Sequence, residues 1–354
     1  MRRESRFHVK RWKLLLNLAT VIAVAFTIYA VRGDISSTYH NIFHVNVLIL
    51  LLIIPLELLD YHAQTKLYQH LFKIVGNKLT YKYLFFASVE LNFVNHVFPS
   101  GGAAGISYFG LKIKNQEITT GKATFIQVMK LGLTFVSFEV LILLSALLLA
   151  LGGKVNSFAL IATGSLTVVL IIGSGLFIYI IGKRERINSF FGYITRKLNQ
   201  LLSLIRPSHD DAINMAKARK LFDDFHFTYN ELTQKKHQVI GPLFYAFLAN
   251  VAEIAVLYVV FIAFGRLVNV GAVILAYGIA NFAGTISIIP GGIGIYEALM
   301  TGAFLATGIS PKLSLPVIIM YRVLNTILQV PPGYYLYQKN ISRDRSLNNQ
   351  TSTQ

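Results

Sequence analysis

The chain of 354 residues is much more apolar than a typical soluble protein. Hydrophobic residues make up 54% of it and charged residues 14%, whereas about a quarter of the residues in an ordinary soluble domain are charged. It contains no cysteine, which excludes disulfides, iron–sulfur clusters and thiolate metal sites. The composition therefore indicates an integral membrane protein.

Six apolar runs define the predicted transmembrane helices in chain order. They cover residues 14–31, 43–59, 124–151, 158–181, 242–264 and 314–337. Each is about long enough to cross roughly 30 Å of hydrocarbon as a helix. The first run follows the basic head MRRESRFHVKRWK, but it is longer than the apolar part of a signal peptide and no small-residue cleavage motif follows it. We therefore expect it to be retained as the first span.

The net charge of +17 is arranged in a way that predicts topology. Of the 33 lysines and arginines, 27 lie in residues 2–13, 60–82, 112–122, 183–240 and the tail. These segments fall on one face if the six runs each cross once and two interrupted segments return to the side they enter from. That face is the cytoplasm by the positive-inside rule, which predicts a multi-pass protein of the cell (plasma) membrane with both termini cytoplasmic. The excess charge then suits anionic lipid headgroups, and no nucleic-acid partner is expected.

Two interrupted segments resemble each other. The first reads NFVNHVFPSGGAAGISYFG (92–110) and the second NFAGTISIIPGGIGIYEAL (281–299). Proline ends a helix and glycine allows turns that other residues avoid, so each segment predicts two apolar half-helices joined by a break. The residues predicted to form the breaks are Pro99, Gly101, Gly102, Pro290, Gly291, Gly292 and Gly294. An ordinary loop between two short spans is the alternative for each copy.

The similarity continues beyond the breaks. Lys130 lies 31 residues after Pro99, and Arg322 lies 32 residues after Pro290, each inside the next apolar run. We therefore predict a single transmembrane domain with a first repeat at about 43–151 and a second at about 242–338. The expected fold is an all-α polytopic membrane protein with about six full transmembrane helices and two broken-helix hairpins in an inverted repeat. Many transporters form their substrate site where such interrupted helices meet.

Ionisable residues at membrane depth are the main candidates for a functional site, because burying charge in the bilayer is costly and such groups usually mark a pathway. The candidate substrate-binding residues are Arg322, Glu297, Lys130, Glu139, Glu253, Glu90, Asn95, Asn281, Asn325 and Tyr321. Arg322 and Asn325 would suit a phosphate head, and the carboxylates an amine-bearing head.

Each of these candidates has an alternative interpretation. The two basic residues, Lys130 and Arg322, could extend toward the headgroups. Glu139 and Glu253 could hydrogen-bond between helices. Glu297 could cap the second half-helix, where a carboxylate suits the positive N-terminal end.

Motifs for enzymes and cofactors are absent. The chain has no GxGxxG, no GxxxxGK[ST] and no HExxH. His40 and His44 share a helical face without a third ligand nearby, so no metal site and no cofactor are predicted. Residues 183–240 predict two amphipathic helices on the cytoplasmic interface, interrupted at Pro207, and the polar tail at 340–354 predicts disorder.

The blocks PSGGAAGISYF and PGGIGIYEAL…GISP…YRVLNTIL, in this order and spacing, resemble the transmembrane flippase region of lysylphosphatidylglycerol synthases. The resemblance covers about residues 10–340. It implies movement of an aminoacylated or anionic phospholipid between leaflets, which in that family confers resistance to cationic antimicrobial peptides. Membrane phospholipids are then the expected partners.

The large soluble domain that transfers lysine to phosphatidylglycerol in that family is expected to be absent, because the chain stops after its last span. No residue predicts that enzymatic step. An alternative is a non-catalytic membrane subunit that works with a separately encoded phosphatidylglycerol lysyltransferase or lipid-linked glycosyltransferase.

Overall fold

The computed structural model describes residues 45–98, 103–114, 116–152, 157–205, 215–286 and 294–350. Within these ranges the regular structure is entirely helical. The helices are α1 Val47–Leu50, α2 Ile53–Ile74, α3 Tyr81–Val97, α4 Ala103–Lys114, α5 Thr120–Leu151, α6 Ser157–Ile181, α7 Arg184–Ile205, α8 Met215–Gln234, α9 Ile240–Ala263, α10 Val270–Ile286, α11 Ile295–Ala306 and α12 Pro311–Gln350, with a 3-10 turn at Lys236–Val239.

Among the described residues, five helical segments are long and apolar enough to cross a membrane. They are Val47–Ile74, Thr120–Leu151, Thr163–Ile180, Lys236–Ala263 and Pro311–Asn340. Each matches one of the predicted spans, so the predicted all-α polytopic membrane fold is confirmed. The predicted first span at 14–31 lies outside the described residues.

The order of helix lengths occurs twice along the chain. A long helix, two short helices and a long helix form a first unit, α2 to α5, and the same order forms a second unit, α9 to α12. The short helices end and begin where the sequence predicts breaks, at 98–103 and 286–295. Of the predicted break residues only Gly294 is described, and its φ of +86° is a backbone conformation that glycine adopts readily. That the two units are inverted across the bilayer stays a prediction.

The two units meet along α2 and α9, which pack together over most of their length. The largest cluster of buried side chains brings together residues of α2, α5 and α9 to α12, with Leu257, Val260 and Phe304 fully buried in it. Because the long helices lie at the centre, their inward side chains share one interior.

Helix α12 crosses from the second unit to the first. Its earlier residues bond to α2, α9 and α11, whereas the rings of Tyr334 and Tyr337 pack at an angle against Phe93 of α3. Gly333 lies so close to α3 that an added Cβ would clash with Phe93. The helix also contains Pro331 and Pro332 near this change of partner.

Three helix boundaries bear on the sequence predictions. Helix α2 continues beyond the apolar run at 43–59 to Ile74, because its later polar residues are buried inside the bundle. Helix α12 continues to Gln350, although disorder was predicted from residue 340; Asn340 donates a hydrogen bond to buried Glu90, which anchors this end. The amphipathic helices predicted at 183–240 correspond to α7 and α8, and Pro207 between them lies outside the described residues.

Candidate functional site

Arg322 and Glu297 form an ion pair between α12 and α11. Both side chains are about 15% exposed, so the pair is neither sealed in the core nor open to solvent. The sequence singled out both residues as charges at membrane depth, and the structure brings them together. Here the arginine does not extend toward a membrane surface but turns to a carboxylate.

The start of α11 positions Glu297. Its Oε2 accepts a hydrogen bond from the backbone N–H of Gly294 at 2.7 Å, which caps the helix, while Oε1 accepts from Nη1 of Arg322. The carboxylate thus lies at the positive end of the helix dipole. The helix cap considered for Glu297 from the sequence is found, and the same side chain also pairs with Arg322.

Tyr296 and Asn281 complete this part of the site. The guanidinium of Arg322 lies 5.1 Å from the ring centroid of Tyr296, a distance at which a cation and an aromatic ring attract each other. Asn281 donates to the hydroxyl of Tyr296 at 3.1 Å and to the carbonyl of Tyr277 at 3.1 Å. The arginine is therefore held by an acid on one side and a fixed aromatic ring on the other.

A second group of polar residues lies between α2 and α9. Oxygen atoms of Glu57, Asp60 and Glu253 all lie within 4.8 Å of one another, and we call these three residues the carboxylate cluster. Glu57 and Asp60 are buried, and Glu253 is partly buried. The one-turn spacing of Glu57 and Asp60 puts both on the face of α2 that meets α9.

Neutral donors surround the carboxylate cluster. Gln329 donates to both oxygens of Glu57 at 3.3 and 3.2 Å. Gln64 donates to Oδ2 of Asp60 at 2.6 Å. On Glu253, Oε2 accepts from the hydroxyl of Tyr321 at 3.1 Å and from the amide of Asn325 at 3.4 Å.

Lys130 reaches the carboxylate cluster indirectly. Its Nζ donates to Oε1 of Gln64 at 2.8 Å, and the same Gln64 amide donates to Asp60. The ammonium also lies 5.3 Å from the ring centroid of Tyr68, whose hydroxyl donates to Gln127 at 2.5 Å. Lys130 therefore turns into the bundle interior instead of extending to a membrane surface.

One turn of α12 joins the ion pair to the carboxylate cluster. Tyr321 and Asn325 contact Glu253, while Arg322 between them contacts Glu297. Helical geometry makes this possible because residues i and i+4 share a face and residue i+1 points about 100° away. A shift of this turn would change both groups of contacts together.

Three other predicted site residues lie apart from this network. Glu90 is completely buried and accepts hydrogen bonds from Lys112, Tyr108 and Asn340, so it forms a separate interior ion pair. Glu139 makes no hydrogen bond or ion pair within the described part of the chain. The side chain of Asn95 packs against Gly105 of α4, where an added Cβ would collide with it.

The sequence prediction missed four residues that complete the interior network. Glu57 lies inside the apolar run at 43–59, and Asp60 and Gln64 follow its end; none of the three was among the predicted site residues. Gln329 is uncharged and was not considered. The available signal was the spacing of Glu57, Asp60 and Gln64, which puts all three on one side of a helix. A stripe of polar residues on an apolar helix indicates that this side faces a polar interior.

Together these features define a polytopic membrane protein whose interior contains several ionisable side chains. Comparison with known families agrees: the family described as the lysylphosphatidylglycerol synthase TM region matches residues 15–333. The chain belongs to this family.

Several membrane proteins are similar to this chain in amino-acid sequence. A UPF0104 membrane protein of Methanothermobacter thermautotrophicus is 23% identical over 235 residues, covering 66% of this chain and 68% of that protein. Another, from Methanocaldococcus jannaschii, is 22% identical over 273 residues, covering 75% and 77%. A third, from Pyrococcus horikoshii, is 29% identical over 117 residues, which span 33% of this chain and about a third, 35%, of that protein.

Proposed function

We propose that the protein moves an anionic or aminoacylated phospholipid between the leaflets of the membrane. The observation that carries the proposal is the partly exposed ion pair of Arg322 and Glu297 at the start of the interrupted helix α11. The family description, which refers to lysylphosphatidylglycerol, supports this class of lipid. The proposed partners are therefore membrane phospholipids.

The ion pair suits a headgroup that carries both charges. Removing one partner of a buried ion pair leaves an uncompensated charge and is strongly unfavourable. A lipid head with a phosphate and an ammonium group can replace both partners at once, because the phosphate binds Arg322 and the ammonium binds Glu297. Arginine matches phosphate oxygens with paired hydrogen bonds, which favours this orientation.

Exposed apolar side chains beside the ion pair offer a surface for acyl chains. Ile295 and Leu299 flank Glu297 along α11 and are 39% and 37% exposed. A lipid could therefore keep its tails against this helix while its head reaches the pair. In that arrangement the acyl chains do not have to cross the polar interior of the protein. Keeping the chains in an apolar environment while the head crosses is the main requirement for moving an amphiphile.

The first experiment measures leaflet exchange in vesicles. Purified protein is reconstituted with fluorescent phosphatidylglycerol, lysylphosphatidylglycerol or phosphatidylcholine, and the outer leaflet is quenched over time. We expect the largest acceleration for lysylphosphatidylglycerol, because its head carries a phosphate for Arg322 and ammonium groups that can donate to Glu297. Phosphatidylglycerol offers only the phosphate, and the quaternary ammonium of phosphatidylcholine has no N–H to donate, so both should exchange more slowly. Arg322→Gln should slow the exchange of lysylphosphatidylglycerol by about tenfold or more, because a hydrogen bond to a charged group contributes about 1.5–3 kcal/mol.

Arg266→Gln provides the matched control, since Arg266 is an exposed arginine after α9. It should exchange lipid at the wild-type rate. Wild-type protein that accelerates none of the three lipids would refute lipid transport. Equal rates for Arg322→Gln and wild type would refute the role of the ion pair.

A further inference from the structure

We propose that the carboxylate cluster, with Asn325, is a binding site for a hard cation of Na⁺ or Ca²⁺ size. The ligands would be carboxylate oxygens of Glu57, Asp60 and Glu253 and the amide oxygen of Asn325. These residues come from α2, α9 and α12, which meet at the centre of the molecule. The site is defined by its own geometry and does not depend on lipid transport.

The spacing of the oxygens fits such an ion. Calcium binds oxygen ligands at about 2.3–2.6 Å, so two oxygens on opposite sides of it lie about 4.6–5.2 Å apart. Oxygen atoms of the three carboxylates lie within 4.8 Å of one another, close enough to share one such ion. Magnesium usually keeps several waters and is held by one or two carboxylates, whereas calcium accepts many protein oxygens in flexible geometry, so three carboxylates and an amide favour the larger ion. Carboxylate and amide oxygens are also the ligand types that hard cations prefer.

Asn325 provides an independent sign of a ligand. It is 7% exposed, and its Oδ1 has no hydrogen-bond partner among the described residues. Its Nδ2 donates to Glu253, so the amide lies against the carboxylate cluster. A buried amide oxygen without a donor is costly, and a cation between it and the carboxylates would satisfy it.

Charge balance also favours a bound cation. The groups that donate to the three carboxylates are neutral amides and a tyrosine hydroxyl. Lys130 is linked to Asp60 through Gln64 and supplies one positive charge. Fully ionised, the cluster would retain two negative charges at membrane depth, where unpaired charge is expensive. Ca²⁺ would neutralise both, and Na⁺ would do so together with one proton.

The test is direct binding to the purified full-length protein in detergent. Equilibrium dialysis with radioactive Na⁺ or Ca²⁺ is carried out at constant ionic strength, with choline as the inert cation and K⁺ and Mg²⁺ as competitors. We expect saturable binding of Na⁺ or Ca²⁺ with one ion per chain and weak competition by K⁺ and Mg²⁺. Ca²⁺ requires all three carboxylates to be ionised, so its affinity should fall steeply when the pH is lowered. Na⁺ binds together with one proton, so its affinity should fall less steeply.

Two variants locate the ion. Glu57→Gln and Asp60→Asn each remove one ligand charge with little change of shape and should weaken binding by at least about tenfold. Glu185→Gln, which removes an exposed carboxylate on α7, should bind as wild type does.

If neither variant folds, binding to wild-type protein still decides the matter. The proposal would be overturned if neither Na⁺ nor Ca²⁺ showed saturable binding. It would also be overturned if the carboxylates bound protons only and no concentration of either cation saturated the site. Wild-type affinity in a folded Glu57→Gln variant would also overturn it. None of these results depends on lipid exchange, so failure of this site is distinguishable from failure of transport.

Discussion

Glu297 uses its two carboxylate oxygens for different purposes. One caps the backbone of α11 at Gly294, and the other pairs with Arg322. The cap fixes the direction of the carboxylate before any ligand arrives. A ligand that displaces the arginine therefore meets an acid that is already oriented, which lowers the entropic cost of binding.

Glu90 is a buried acid of the same bundle whose hydrogen-bond partners all lie within the protein. It is completely buried and forms an ion pair with Lys112 at 2.5 Å. We predict that Glu90→Gln destabilises the protein by about 3–5 kcal/mol, because it leaves the ammonium of Lys112 without a counter-charge. Thermal unfolding in detergent, followed by loss of solubility, measures the effect.

The pair of Lys122 and Glu231 is the control for this prediction. Its side chains are 19% and 31% exposed, so water screens the charges. Glu231→Gln should cost less than about 1 kcal/mol. If Glu90→Gln lowered the stability by an equally small amount, Glu90 would not be the counter-charge that stabilises the ammonium of Lys112.

At the level of single residues, the sequence reveals charges but not their partners. Arg322, Glu297, Glu253 and Lys130 were recognisable because a charge within an apolar run is unusual. Glu90 was recognisable for the same reason, yet its partner Asn340 lies 250 positions away. Pairing is set by tertiary contact, which one sequence without its fold does not specify.

Helix α12 depends on close contact with α3. At Gly333 an added Cβ would meet the Cβ of Phe93 and the carbonyl oxygen of Val89, both of which belong to the body of α3. We predict that Gly333→Ala destabilises the protein by about 1–3 kcal/mol, because the two helices must separate to admit the methyl group. The change in the thermal unfolding midpoint provides the measurement.

Gly302 on α11 is the matched control, since an added Cβ there meets nothing within 4 Å. Gly302→Ala should be neutral or stabilising by up to about 1 kcal/mol, because alanine favours the helix. Equal melting points for the two variants would mean that α12 and α3 do not approach as closely as the structure shows.

Helical elements were predictable where their signals are local. Proline and glycine marked both interruptions, and five apolar runs became helices at nearly the expected positions. The far end of α2 was not predictable from hydropathy, because Asp60, Gln64 and Lys66 lower the average while the helix continues to Ile74. Asp60 and Gln64 are buried inside the bundle, where Asp60 meets Glu253 of α9 and Gln64 accepts a hydrogen bond from Lys130 of α5. These contacts stabilise the extension, and they are not local.

The topology of the whole molecule can be tested because the chain contains no cysteine. Single cysteines can be introduced at exposed Gln116, Lys236, Arg266 and Ser310 without a background of native thiols. The proposed inverted arrangement, with both termini cytoplasmic, places the first two positions inside the cell and the last two outside. A membrane-impermeant maleimide should label only Arg266→Cys and Ser310→Cys in intact cells.

Lysed cells provide the control, because all four cysteines should then react. Labelling of Gln116→Cys and Ser310→Cys from the same side in intact cells would contradict the inverted repeat. Labelling of the first two positions only would instead reverse the whole orientation. The assay thus separates the symmetry of the molecule from its direction in the membrane.

At this scale the repeated order of helices was predictable, whereas the arrangement of the interior was not. Two similar motifs at similar distances from a basic residue were enough to suggest two units. The carboxylate cluster draws on α2 and α9, and its position follows from how the units pack together. Packing between units depends on shape complementarity across many side chains, which no short motif records.

The two successive prolines in α12 give the molecule a place to bend. Proline has no backbone N–H and cannot bond to the carbonyl four residues earlier, so the helix is weaker at Pro331 and Pro332. Before this point Arg322 pairs with Glu297 of α11 and Gln329 bonds to Glu57 of α2, and after it Asn340 bonds to Glu90 of α3. A change in the bend at these prolines would therefore move the last part of α12 together with α3, while the contacts of α12 with α2 and α11 are kept.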